Sequence, residues 1–302
     1  MRPPKDVQKL HLFRLIGTLR HIHHTNPTLV RDNPRSTYAE MMRAIRTRIE
    51  FIIKRKENVT LVVTSTESGD GKTFLSTNLA SLYAMTGKKT LLVDLDLRKP
   101  NVHTVLGLDN GPGVSNYLIG DCVLEDIIVH NDKIGFDVMR AGTIPPNPGE
   151  LIHSDELATL IADLKRKYVY IIMDTSPIGL VPDAYTLIEQ TDMCLYVIRC
   201  MQTNKSFCKQ TLSQMTEVVD NPDKVELILS DIPNDSRHGY GYGYGYKYGY
   251  GYGYGYGYGN PRKANKTRFR YQIERLWAVM LHKDISDNAS YYADEDDGDS
   301  AK

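Results

Sequence analysis

No stretch of this chain has the roughly 18 consecutive apolar residues that crossing a bilayer takes. The longest apolar pieces, such as Val59–Thr64 and Val169–Met173, have strand length. An excess of basic charge is missing too, since 37 Lys and Arg face 37 Asp and Glu. That balance argues against a strongly basic nucleic-acid binder and against an acidic disordered chain, so no nucleic acid is expected as a partner. The N-terminus, MRPPKDVQKLHLFRLIGTLRHIHH, is basic but lacks the apolar core of a secretion signal. The four cysteines (Cys122, Cys194, Cys200, Cys208) form no CxxC pair. Free thiols in a reducing cytoplasm are the simple expectation. His21, His23 and His24 have no carboxylate or Cys nearby to complete a ligand set and read as a solvated polar segment.

Mixed apolar sequence also runs short. A chain of 302 residues suggests about two domains at roughly 150 residues each. Yet ten of the 20 Tyr lie in Tyr240–Tyr258, and ten of the 23 Gly lie in Gly239–Gly259. That segment cannot build a core. What is left, from Ser36 to His238, is about 200 residues and suits one α/β domain. The expected organisation is a basic segment at 1–35, a domain at 36–238, a Tyr/Gly-rich cluster at 239–259, and a basic amphipathic helix with an acidic end at 260–302.

Within the domain, Ser36 or Thr37 can cap a helix through YAEMMRAIRTRIEFIIKRK, with Met41, Ile45, Ile49 and Ile52 as its apolar stripe. Strands are expected at Val59–Thr64, Thr90–Leu95, Phe136–Met139, Tyr168–Met173, Cys194–Ile198 and Val225–Leu229. Helices are expected at Thr73–Met85, ended by Gly87, and at Ser154–Lys167, capped by Ser154. Strands that are apolar throughout and alternate with helices predict a mostly parallel sheet with helices on both faces.

The segment VVTSTESGDGKT, Val62–Thr73, follows a strand and opens a helix, the setting of a phosphate-binding P-loop. Ser68, Gly69, Asp70, Gly71, Lys72, Thr73 and Phe74 are the candidate nucleotide contacts. The glycines allow close approach of backbone to phosphate, Lys72 brings a point charge, and Thr73 offers a hydroxyl to Mg²⁺. The standard spacing wants Gly at 66, where this chain has Thr66, so the loop is a variant. Two further segments supply carboxylates. LLVDLDLR puts Asp94 and Asp96 at the carboxyl end of a strand, on one face by period-two geometry. IIMDTSP puts Asp174 at the end of another, the place of a Walker B aspartate. Together with Lys72, these aspartates are the candidate catalytic set. Thr73, Asp96 and Asp174 are the candidate Mg²⁺ residues, and Asp94 the candidate base, in a role it can exchange with Asp96. Arg98 and Lys99 either stabilise transferring charge or form a solvated turn.

These residues resemble the bacterial tyrosine kinases, P-loop proteins unrelated in fold to eukaryotic protein kinases. The resemblance covers about residues 36–259. VVTSTESGDGKT resembles the family's Walker A, LLVDLDLRKP its additional Walker A′, and IIMDTSP its Walker B. AGTIPPNPGEL, Ala141–Leu151, resembles another family segment. Glu40, Arg43 and Arg46 fit the E-x2-R-x2-R pattern that in that family builds a ring oligomer, with an octamer as one size the resemblance allows. The tyrosine cluster is similar to the family's autophosphorylated tails. The resemblance implies ATP and Mg²⁺ as cofactors and the cluster Tyr240, Tyr242, Tyr244, Tyr246, Tyr248, Tyr250, Tyr252, Tyr254, Tyr256 and Tyr258 as phosphoacceptors. It further implies a role in capsule or exopolysaccharide polymerisation and export, and a cognate tyrosine phosphatase. With no transmembrane hairpin in the sequence, the chain resembles either the split form of the family or a cytoplasmic fragment of a longer member. A separate membrane-embedded polysaccharide co-polymerase would then activate the cytoplasmic kinase and recruit it to the inner face of the plasma membrane. One departure is Ser230, where the family often has an Asn near the base. The alternatives are a MinD/ParA-like ATPase switch and an ATP-gated scaffold without kinase activity. MinD/ParA proteins usually carry a signature Lys five residues before the Walker A lysine, a position that here is Glu67. Near the end of the chain, Ile273, Leu276, Trp277, Met280 and Leu281 make one stripe of a helix expected at 267–283, with Arg268, Arg270 and Arg275 on its polar side. That helix suits an anionic membrane, a partner, or simple packing on the domain.

Overall fold

The β-branched, wholly buried runs expected to be strands form the centre of one sheet. The computed structural model describes residues 13–22, 26–54 and 56–232. His23, His24, the tyrosine cluster and the 267–283 helix lie outside the described residues. The strands are β1 (Arg14–Arg20), β2 (Val59–Ser65), β3 (Thr90–Leu95), β4 (Ile128–Asn131), β5 (Phe136–Met139), β6 (Tyr170–Thr175), β7 (Met193–Arg199) and β8 (Val225–Ile232). Their order across the sheet is β1-β8-β7-β2-β6-β3-β5-β4, parallel throughout except for the antiparallel β4–β5 edge. The principal helices are α1 (Thr37–Ile53), α2 (Lys72–Ala84), α3 (Asp155–Lys167), α4 (Asp183–Gln190) and α5 (Lys205–Val218). Among the described residues no helix is long and apolar enough to cross a membrane.

The expected α/β, P-loop NTPase-like fold is what forms. Leu61, Val63, Leu92, Ile172, Leu195, Val197 and Ile228 share one apolar core with α1 and α2. The alternate residues Val62, Leu91, Val93, Ile171 and Met173 are equally buried and, by strand periodicity, face the other way. A sheet covered on both faces leaves its strand ends as the place for chemistry, and β2, β3 and β6 are adjacent there.

Two expectations are corrected. Residues 1–35 are more than a basic lead-in, because Arg14–Arg20 pairs in parallel with β8, and Leu29 and Val30 are buried in the core. The sheet therefore starts before Ser36. The α1 stripe is Tyr38, Met42, Ile45, Ile49 and Ile53, while Met41 and Ile52 are only partly buried. With apolar pairs at 41–42 and 52–53, the pattern allowed two faces, and packing against β1 and α2 selects one. Ser36 caps α1 by accepting the Ala39 N–H, and Ser154 caps α3 by accepting that of Leu157.

Candidate active site

The phosphate loop joins β2 to α2. Gly69 and Gly71 take left-handed φ angles of 88° and 97°, which a side chain would strain. Ser68 and Gly69 are exposed and Asp70 is buried. Asp70 holds the loop from inside. Its carboxylate accepts from the Glu67 N–H at 3.0 Å and from the Thr203 hydroxyl at 2.8 Å. Thr66, standing where a Gly was wanted, is buried and shares a 2.7 Å hydrogen bond with the Tyr196 hydroxyl. Glu67, in the signature-lysine position, accepts the Asn204 N–H. Phe74 turns its ring onto Tyr38, leaving its backbone at the helix start as the part near the loop.

Lys72 opens α2 and is largely buried, 7% exposed. Its ammonium makes no hydrogen bond among the described residues, so its charge is available to an anion. The helix behind it adds its positive end. Across from it, the Thr73 hydroxyl donates to Asp174 Oδ2 at 2.6 Å and the Ser76 hydroxyl to Asp174 Oδ1 at 3.0 Å. Register pairs Asp94 with Asp174 on adjacent strands. Burial, and then repulsion from Asp174, push the Asp94 carboxyl up to about 8. Burial raises Asp174 to about 6 against the lowering pull of Lys72, Thr73 and Ser76.

The two Walker A′ aspartates differ in what they are free to do. Asp94 is fully buried and accepts three backbone N–H groups, those of Asp96, Asn101 and Val102. It pins the loop that follows β3. Asp96 is half-buried. Its Oδ1 accepts from the Ser176 hydroxyl at 2.7 Å and the Lys99 N–H at 3.0 Å, and no described residue bonds its Oδ2. Arg98 is engaged elsewhere, in a two-pronged ion pair with the buried Asp183 at 2.9 and 3.1 Å. Sequence reading missed this pair, since 85 residues separate the partners. It fastens the Walker A′ loop to α4 and leaves Lys99 as the exposed cation of that turn.

Three aspartates near one lysine, two of them with acidity weakened by burial and crowding, are a donor set that suits a hard cation carried by phosphates. Among the described residues no three His, Cys, Asp or Glu side chains could hold an ion by themselves. A Mg²⁺ that takes most of its ligands from phosphates and water needs no such cage.

Glu40, Arg43 and Arg46 lie on α1. Arg43 pairs with Glu40 and donates to the Pro34 carbonyl, while Arg46 pairs with Glu50 and donates to the Leu82 carbonyl. They take no part in the geometry of the phosphate loop.

Residues 61–234 match the family of CobQ/CobB/MinD/ParA nucleotide binding domains. CapB of Staphylococcus aureus is 37% identical over 215 residues, 71% of this chain and 93% of that protein. The tyrosine-protein kinase YwqD of Bacillus subtilis is 38% identical over 172 residues, 57% of this chain and 73% of that one. The chain belongs to the bacterial tyrosine-protein kinases. Within this family the match to tyrosine-protein kinase etk of Escherichia coli is 37% over 180 residues, 60% of this chain but only 25% of etk's length. The solved kinase domain of that enzyme superposes with a TM-score of 0.69 at 28% identity, covering 85% of this chain and all of that domain. The nucleotide-binding family includes MinD and ParA as well, so the kinase assignment rests on the named relatives and not on the fold.

The buried carboxyls give a pH signature. Asp94 near 8, Asp174 near 6 and Glu226 near 7 all lie above their unfolded values. The folded protein then holds more protons than the unfolded one, so the stability these groups contribute is fully present only below their unfolded values, under about pH 4, and falls as pH rises toward about 8. Asp192 and Asp231 are held below the usual range, so their stabilisation is lost only at more acid pH. Nucleotide-free protein is expected to lose at least about 1.4 kcal/mol between about pH 5 and about pH 8, a tenfold change in the folding equilibrium. Urea unfolding at the two pH values measures it, and a flat profile would contradict the buried, crowded state of these carboxyls.

Proposed function

We propose that this kinase transfers the γ-phosphoryl group of ATP to tyrosines of its own Tyr240–Tyr258 cluster, mainly on a neighbouring subunit. The observation that carries the reading is the convergence, at the ends of β2, β3 and β6, of Thr73 bonded to Asp174 with Lys72 and an Asp96 oxygen to which no described residue is hydrogen-bonded. The loop amides and Lys72 bind the phosphates. Thr73 and Asp174, with Asp96 beside them, would hold Mg²⁺. Bound there with ATP, the ion would supply positive charge against the charge that develops on the phosphates. The tyrosine oxygen bonds to the γ-phosphorus as the bond to the β–γ bridging oxygen breaks and ADP leaves. The phenol, with an ordinary pKa of about 10, gives its proton to a carboxylate as the bond forms. Of the two Walker A′ aspartates, we assign that carboxylate to Asp96, because Asp94 is covered and spent on three backbone N–H groups.

Supply of radiolabelled ATP and Mg²⁺ to the purified protein tests this. Label on tyrosine is expected. Release of free phosphate alone would favour an ATPase switch of the MinD/ParA kind.

By family resemblance, Glu40, Arg43 and Arg46 join subunits in a ring. Replacing all three by Ala is expected to lower the mass of the assembly in light scattering and to slow tail phosphorylation at least about tenfold at equal protein, with melting temperature kept. An unchanged rate would place the transfer within one subunit. Each phosphate adds about −1.5 to −2 charge, so ten acceptors bring about −15 or more per chain. Repulsion on that scale loosens the ring, and an assembly of unchanged mass after full phosphorylation would refute that link. A relative is named for a cps region in Klebsiella pneumoniae, which supports a role in polysaccharide polymerisation and export. A membrane-embedded activator, which recruits the kinase to the membrane's inner face, and a tyrosine phosphatase complete this reading.

A further inference from the structure

Three carbonyls of the phosphate loop are tied down by side chains. The Ser65 hydroxyl donates to the Glu67 carbonyl at 2.7 Å, Arg199 Nη1 to the Gly69 carbonyl at 2.9 Å, and the Ser230 hydroxyl to the Asp70 carbonyl at 3.1 Å. In a planar trans peptide the C=O and the following N–H point opposite ways. Each tether therefore turns one amide, that of Ser68, Asp70 or Gly71, away from its outer anchor and toward the inside of the loop. An anion cradle needs those amides there.

Two of the three anchors come from the ends of β7 and β8, where the chain is built unusually. Arg199 Nε donates to Asp231 Oδ2 at 2.9 Å, and Asp231 Oδ1 is bonded to His21 Nδ1 at the end of β1. Asp231 has φ of 60°, a left-handed value uncommon for a residue other than Gly. Opposite β1, where Thr18 and Arg20 pair with Leu229 and Ile232, β8 carries one extra residue. That bulge re-aims Ser230 and Asp231 toward the loop and toward Arg199.

We propose that Arg199, Ser230 and Asp231 form a carbonyl clamp that pre-sets the phosphate loop for ATP. Arg199 and Ser230 orient the loop peptides, and Asp231 acts through Arg199 as a positioning residue. The clamp runs from the N-terminal edge strand to the nucleotide, so β1 bears on ATP affinity without touching it. This rests on the ATP reading above and deepens it. In the sequence Ser230 stands out only as a departure from a family Asn, and no spacing marks Arg199 or Asp231.

The test is the Kd for Mg·ATP by calorimetry on the full chain, beside the melting temperature and the steady-state constants. Arg199→Lys keeps the charge but cannot serve both partners. Asp231→Asn removes the charge and still tolerates the left-handed backbone. Each is expected to weaken ATP binding about tenfold and to raise KM by more than it lowers kcat. The double variant should be no weaker than about twice the worse single one, because the two residues act in series. Ser230→Ala is expected to cost about threefold. Binding like wild type in these variants, with Lys72→Met still losing it, would overturn the clamp and leave the ATP reading intact. Weaker binding matched by a parallel fall in melting temperature would assign these residues to stability and overturn it also. A wild-type chain that does not bind Mg·ATP would remove the ATP reading and the clamp together.

Discussion

Lys72→Met is expected to cut tail phosphorylation by at least about a hundred- to a thousandfold. The lysine is almost wholly withdrawn from solvent, and it starts a helix whose positive end points the same way. In the proposed mechanism a cation so placed, with no hydrogen bond spent on the described residues, would hold the charge that builds on the β–γ oxygen as ADP departs. Met keeps the length and apolar stem of the side chain and removes only the charge. Lys72 also pulls the Asp174 carboxyl down, so its loss pushes Asp174 further toward the neutral form. Both effects work against catalysis. Transfer to the tail by Lys72→Met at near wild-type rate would mean that the loop does not hold the reacting phosphate.

Asp96→Asn is expected to lower kcat for the tail about 10²- to 10⁴-fold with little change in melting temperature. The substitution keeps an acceptor for Ser176 and Lys99 while removing the basic oxygen that no described residue bonds. Asp94→Asn should behave differently. An amide nitrogen, which cannot accept, replaces one oxygen of a carboxyl whose two oxygens accept from three backbone N–H groups, so a donor faces a donor in a dry site. That costs about 1–3 kcal/mol of stability. The two variants thus separate on melting temperature. If Asp94→Asn stayed folded and lost transfer while Asp96→Asn kept it, the base would be Asp94.

The fold, and the strand ends on which the candidate site residues lie, could be read from the residues. Val59–Thr64 and Thr90–Leu95 are strands nearly as expected, because central parallel strands are apolar on both faces and end at turn residues; Phe136–Met139, beside the antiparallel edge, is a strand too. Lys72, Thr73 and Asp174 come together because each lies at a strand end or helix start beside it, positions that local sequence defines. β1 escaped notice because RLIGTLR has Arg at both ends and Gly in the middle, and its edge position asks for fewer apolar residues. Its Gly17 is forced by packing, since a Cβ there would come within 2.3 Å of Ile45. The division of labour between Asp94 and Asp96 was equally hidden. It depends on a loop that folds back over Asp94, and two aspartates two residues apart carry no mark of which one is covered. Arg98 with Asp183, and Arg199 with Asp231, are long-range ion pairs, which spacing in the chain does not announce.

The most direct test of phosphoryl transfer from the Lys72 cradle to the tyrosine cluster is intact-mass spectrometry of the wild-type chain and the Lys72→Met chain after incubation with ATP and Mg²⁺. The expected result is a ladder of steps of about 80 Da, the mass of each phosphoryl group that adds charge to a tyrosine. The ladder should map to the Gly239–Gly259 peptide in wild type and be absent from the variant. A single unshifted mass for wild type in its assembled form, or a ladder that persists in Lys72→Met, would contradict it.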